Sequence, residues 1–127
     1  MNKVVIGLGS NISPETNIPK ARDQLAQKFP ILAESRWRQT KPVGYPNQAD
    51  FINSAILIET PLEHDELKAQ LKGLEADLGR APSSFRFGPR SIDLDILVWN
   101  DKIVDPDFYS LDFVKESILE LLPEIKY

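Results

Sequence analysis

Apolar residues recur along this chain at two periods, and the switches between them lay out its elements. Val4 to Leu8 is a short apolar run closed by Gly9-Ser10-Asn11, which predicts a strand followed by turn chemistry. From Pro14 to Phe29 the apolar positions Ile18, Ala21, Leu25 and Phe29 fall three and four apart in a polar stretch, the mark of an amphipathic helix. Ile31 to Gln39 alternates loosely and reads as a strand. Thr40 to Gln48, pinned by Pro42, Gly44 and Pro46, reads as a loop. Phe51 to Glu59 is an Ile-rich strand, and Pro61 fits the opening of the next helix. That helix carries the clearest stripe in the chain, Leu67, Leu71, Leu74 and Leu78, with Gly79 placed to end it. Arg80 to Gly88 reads as a loop, Ile92 to Val98 as a strand and Lys102 to Val104 as a short return strand. Phe113 to Leu122 has a helical pattern. The order strand, helix, strand, strand, helix, strand predicts an α+β fold: a ferredoxin-like βαββαβ antiparallel sheet with helices packed on it.

Composition narrows the picture only a little. The 127 residues suit one domain, 1–127, and its 42% hydrophobic and 27% charged content is that of an ordinary globular chain. No apolar run reaches the length of a membrane span, and the N-terminus lacks the shape of a signal peptide. Zero cysteines exclude disulfides, thiolate metal sites and cysteine nucleophiles, and fit a cytoplasmic protein. A net charge of −4 argues against general nucleic-acid binding.

Within the strand at Ile92, polarity alternates in a way that bears on chemistry. Asp93 and Asp95 share one face while Ile92, Leu94 and Ile96 fill the other. A half-exposed strand with its polar face in water has the same pattern, and for an isolated Asp-x-Asp that plainer reading is the better one. Its neighbourhood shifts the balance. Arg80, Arg86 and Arg90 crowd the eleven residues 80–90 of an acidic chain, just before the two acids. Guanidinium forks match phosphate oxygens, and Mg²⁺ binds through one or two carboxylates plus substrate phosphates. Together they describe a phosphoryl-transfer site.

At this point the chain resembles a family. The run from Gly79-Arg80 through Phe87-Gly88-Pro89-Arg90-Ser91-Ile92-Asp93-Leu94-Asp95 is similar to the signature of the 6-hydroxymethyl-7,8-dihydropterin pyrophosphokinases of folate biosynthesis. Gly7-Leu8-Gly9-Ser10-Asn11 resembles that family's first strand and turn. Thr40-Lys41-Pro42-Val43-Gly44 with Asp50-Phe51-Ile52-Asn53-Ser54-Ala55 resembles its pterin-binding loop and strand. Three motifs in order are far more specific than any one.

The resemblance implies transfer of diphosphate from ATP to the hydroxymethyl oxygen of the pterin, with release of AMP. It implies two Mg²⁺ ions held by Asp93 and Asp95, with Arg80, Arg86 and Arg90 on the triphosphate and Glu75 and Ile96 near the nucleotide. For the pterin it implies Phe51 and Phe113 as the walls of a flat slot. Asn53 reads the ring edge there, beside Thr40, Pro42 and Val43. Without the resemblance, Phe51 reads equally well as core packing and Glu75 as a solvated helix residue. His64 reads as surface, Trp37 and Trp99 as packing residues. No obvious general base is present, and Asp95 is the candidate proton acceptor. The implied partners are the two small molecules, without nucleic acid or membrane, and a monomeric state is expected.

Some family features differ here. The segment after the acidic strand is shorter by about eight residues, and its usual Pro-His-Tyr and arginine are missing. Pro82 stands for an arginine, Phe87 for a tryptophan, Lys72 for a glutamine and Lys41 for a proline. Loss of two or three phosphate contacts, at ~1.5–3 kcal/mol each, would weaken nucleotide binding. Two other readings therefore stand beside the enzyme: a non-catalytic pterin- or nucleotide-binding relative, and a ferredoxin-like regulatory domain. The acid pair with its three arginines favours the enzyme over the binding relative, and Asn53 with Phe51 favours either of these over the regulatory domain.

Overall fold

A computed structural model describes residues 1–42, 47–79 and 91–127. Its strands are β1 (Asn2–Ser10), β2 (Ile31–Glu34), β3 (Arg38–Thr40), β4 (Phe51–Thr60), β5 (Asp93–Trp99) and β6 (Lys102–Ile103). The helices are α1 (Pro14–Lys28), α2 (His64–Asp77) and α3 (Asp112–Leu121), with a 3-10 turn at Pro106–Tyr109. All pairings are antiparallel, in the order β2-β4-β1-β5-β6 with β3 also on β4. This is the expected α+β, ferredoxin-like arrangement, since each helix crossover skips one strand that is filled from the other half.

The sheet is covered on both faces. Ile18, Ala21 and Leu25 of α1 and Leu67, Leu71 and Leu74 of α2 pack against Val4, Ile6, Leu8, Ile56, Ile58 and Leu94 on one side. On the other, Val114 and Ile118 of α3 and Phe108 of the 3-10 turn pack against Val5, Ala55, Leu57, Leu97 and Val98. Period-2 alternation along β1 and β4 supplies both cores. In β5 the register against β1 shifts between Val5 and Ile6, whose partners are Val98 and Ile96. Leu97 is the skipped residue, and both it and Val98 join the α3 side, as a β-bulge allows.

Several boundaries differ from the sequence reading. Gly9 and Ser10 belong to β1, because β4 and β5 pair with it as far as Gly9 on both sides. The single strand expected over Ile31 to Gln39 is two, and Thr40 closes the second instead of opening a loop. The break falls at Ser35, whose hydroxyl accepts from Ala55 N–H and whose N–H donates to Ala55 O. α2 starts at His64, past Pro61, because Glu63 and Glu66 form a reciprocal capping box. Gly79, at φ +100°, follows its end as expected. Trp37 is 48% exposed and so is not a core residue, whereas Trp99 packs partly against the helix-side core.

Candidate active site

The α3 layer covers only part of its sheet face. Beyond Ala55 and Leu97 the central strand β1 turns Gly7 and Gly9 inward, and a cleft of about 450 Å³ opens between sheet and α3. Register explains its floor. Asn53 on β4, Gly9 on β1 and Asp93 on β5 stand side by side, and so do Ala55, Gly7 and Asp95. Side chains two apart along a strand share a face, so Gly7 and Gly9 leave the middle of the floor bare. A Cβ at Gly9 would lie 3.0 Å from Asn53 Oδ1, and one at Gly7 3.0 Å from Leu97 Cδ1. The Gly7-Leu8-Gly9 motif thus makes room inside a strand.

Around that floor the cleft gathers Thr40, Phe51, Asn53 and Phe113 together with Asp93 and Asp95. Thr40 lies opposite Phe51 across the β3–β4 pair, and Asn53 reaches diagonally to it, Nδ2 donating to Thr40 Oγ1 at 2.7 Å. That bond fixes the amide's orientation. Phe113 comes from the first turn of α3, on the opposite wall. Pro42 is half-buried and does not line the cleft. Val43, Arg80, Arg86 and Arg90 lie outside the described residues.

A second cleft, of about 340 Å³, adjoins the first along β5 and α2. Glu75, Ile96, His64, Lys68 and Lys72 line it, and Asp95 and Asp105 line both clefts. Ile96 and Glu75 line this cleft together. Glu75 is not a solvated helix residue; it is 5% exposed and accepts the N–H of Leu94 at 2.7 Å. Among the described residues two-residue β6 pairs only with Val98 and Trp99, so this carboxylate bonds an N–H between the two acids that β6 does not reach. His64, half-buried, sets its ring edge-on to Trp99 at 5.5 Å rather than simply facing water.

Asp105, Asp107, Ser110, Ser117 and Lys41 also line the first cleft and were missed as site residues from sequence. Burial pushes the Asp105 carboxyl above the usual carboxylate range; the charges of Asp107 and Asp93 add to this, and a hydrogen bond from Asp107 N–H opposes it. The period-2 spacing of Gly7 and Gly9 was the one sequence signal that could have located the floor. Among the described residues no group of three or more histidine, cysteine or acidic side chains could hold a metal ion unaided. Asp93 and Asp95 nonetheless fit Mg²⁺, a hard ion that takes one or two carboxylates and completes its shell with substrate phosphates and water.

The geometry defines a class first: an α+β protein with two adjoining clefts that meet at one acidic strand. Residues 5–123 match the model of the family described as 7,8-dihydro-6-hydroxymethylpterin-pyrophosphokinase. Over 134 residues the chain is 32% identical to the 2-amino-4-hydroxy-6-hydroxymethyldihydropteridine pyrophosphokinase of Aquifex aeolicus (strain VF5), covering 98% of this chain and 83% of that one. The protein of the same name from Bacillus subtilis (strain 168) is 35% identical over 138 residues, 99% of this chain and 82% of the relative. A folate synthesis bifunctional protein of Arabidopsis thaliana is 35% identical over 130 residues, 94% of this chain but 27% of its own length. The chain belongs to the 7,8-dihydro-6-hydroxymethylpterin-pyrophosphokinase family.

Proposed function

We propose that the larger cleft takes the pterin, the smaller takes the nucleotide, and diphosphate passes between them at Asp95. As a family member the chain is an ATP-dependent pyrophosphokinase of folate biosynthesis, and nothing in the comparisons favours the non-catalytic alternative. One observation carries the division of labour: Asp95 lines both clefts, one holding the aromatic and amide side chains and the other the polar face of α2.

In this reading Phe51 and Phe113 flank the flat ring, and aromatic stacking contributes about 0.5–1.5 kcal/mol beyond area burial. Asn53, oriented by Thr40, pairs with the ring edge, and Val43 is assigned to the pterin with them. Glu75 and Ile96 border the nucleotide. Arg80, Arg86 and Arg90 hold its phosphates and stabilise charge that develops during transfer. Two Mg²⁺ ions, taken by Asp93 and Asp95, neutralise charge on the phosphate oxygens when bound. The hydroxymethyl oxygen bonds to the β-phosphorus, the bond from that phosphorus to the α–β bridging oxygen breaks, and AMP leaves with the bridging oxygen. The hydroxyl proton goes to a carboxylate oxygen of Asp95.

Both clefts are lined by one sheet and its helices, which supports a single domain acting on small molecules. Among the described residues no helix is long and apolar enough to cross a membrane. The absence of cysteine supports a cytoplasmic location. AMP release measured with Mg²⁺, ATP and 6-hydroxymethyl-7,8-dihydropterin tests the reading. AMP should appear only when pterin is present; pterin binding without AMP would transfer support to the non-catalytic alternative.

A further inference from the structure

α3 supplies one wall of the larger cleft, yet little in its own sequence secures the turn that does so. It is ten residues long, its N-cap is Leu111, and no side chain caps its first turn, where Phe113 sits. Helices this short are marginal by themselves and take their stability from packing. Val114 and Ile118 bury one side. Their contacts turn that face to the sheet, but the hydrophobic driving force is itself non-directional and sets no exact angle for the polar edge where Phe113 lies.

A polar device on the opposite edge supplies direction. Arg38 of β3 stands across from Asn53, and its side chain is only 14% exposed. One guanidinium nitrogen donates to Ser117 Oγ at 3.1 Å and the other terminal nitrogen to Glu120 Oε1 at 2.8 Å. Ser117, buried at 4% exposure, donates in turn to the carbonyl of Phe113 at 2.8 Å. Glu120 Oε2 also accepts Arg36 N–H at 3.0 Å. Two hydrogen bonds therefore connect the guanidinium to the backbone of the aromatic residue itself.

We propose that Arg38 is a positioning residue for the pterin cleft, orienting Phe113 through Ser117 and Glu120 so that the aromatic wall faces Phe51. It rests on the assignment of the larger cleft to the pterin. A planar fork on two partners fixes an angle that a point charge does not.

The test compares Arg38→Met, Arg38→Lys and Ser117→Ala in the full chain. It uses calorimetric binding of 6-hydroxymethyl-7,8-dihydropterin and steady-state kinetics. Arg22→Met is the control, because it removes an equally close ion pair, 2.6 Å to Glu34, that has no link to α3. Arg38→Met should raise the pterin Kd and KM about tenfold and leave KM for ATP within about twofold. Arg38→Lys should recover part of the loss, Ser117→Ala should raise the pterin Kd several-fold, and Arg22→Met should change neither. If Arg38→Met does not fold, Ser117→Ala decides. Equal pterin binding by wild type and variant overturns the clamp alone; a wild type that binds no pterin overturns the cleft assignment and the clamp together.

Discussion

Replacing Gly9 by alanine adds one methyl group at the centre of the cleft floor. Its carbon would stand 3.0 Å from Asn53 Oδ1 and 3.9 Å from Phe51 Cδ1, so the amide must retreat by a few tenths of an ångström. Retreat presses against the 2.7 Å bond to Thr40. Two opposing terms set the effect on stability. Removing a strand glycine stabilises by about 0.5–1 kcal/mol, and disturbing one hydrogen bond costs about 0.5–1.5 kcal/mol. The urea midpoint should therefore move little. Binding has no such cancellation. If the displaced amide loses two neutral bonds to the pterin edge, each contributing about 1 kcal/mol, the Kd rises about 30-fold. Calorimetry with 6-hydroxymethyl-7,8-dihydropterin, paired with urea denaturation, reads both quantities. A cooperatively folded Gly9→Ala chain with an unchanged Kd would refute the assignment of Asn53 to the ring edge.

Gly73 is the complementary case: it is exposed within α2, and a Cβ there meets nothing within 4 Å. Gly73→Ala should stabilise by about 0.5–1 kcal/mol and raise the thermal midpoint by about 2–4 °C without altering turnover; a lowered midpoint counts against the helix assignment. Acid should destabilise the chain through two glutamates. The hydrogen bond from Arg22 holds Glu34 below its usual value of 4.5. Burial pushes Glu120 up, but hydrogen bonds from Arg38 and Arg36 N–H bring it below 4.5 overall. A depressed carboxylate contributes stability that is complete above the unfolded value and lost as pH falls through the folded one. Denaturation midpoints measured from pH 7 down to 3 should hold steady until about pH 4.5 and then fall, less steeply in Glu120→Gln. An identical slope in that variant would remove Glu120 from the account.

Sequence periodicity was enough for the helices, because Leu67, Leu71 and Leu74 can share a surface only at 3.6 residues per turn. It also placed Asp93 and Asp95 opposite Leu94, and the cleft lies on their side. What escaped the reading depends on partners distant in the chain. Glu75 is polar at a helix position next to the leucine stripe, yet it is buried against Leu94 N–H, a strand position that β6 does not reach. The break between β2 and β3 comes from Ser35 bonding to Ala55, twenty positions on. The 3-10 turn at Pro106–Tyr109 is held by Phe108 in the sheet core and by the Asp105 cap, neither of which leaves a periodic trace. Glycine in a motif suggested a turn, whereas β1 uses Gly9 for the space above it.

Asp95→Ala tests the central claim most directly, since Asp95 is exposed, its loss should leave the fold intact, and both clefts end on it. In an assay of AMP release with saturating Mg²⁺, ATP and 6-hydroxymethyl-7,8-dihydropterin, the wild-type chain should turn over and the variant should not, although it still binds pterin. Turnover by the variant at the wild-type rate would contradict the account.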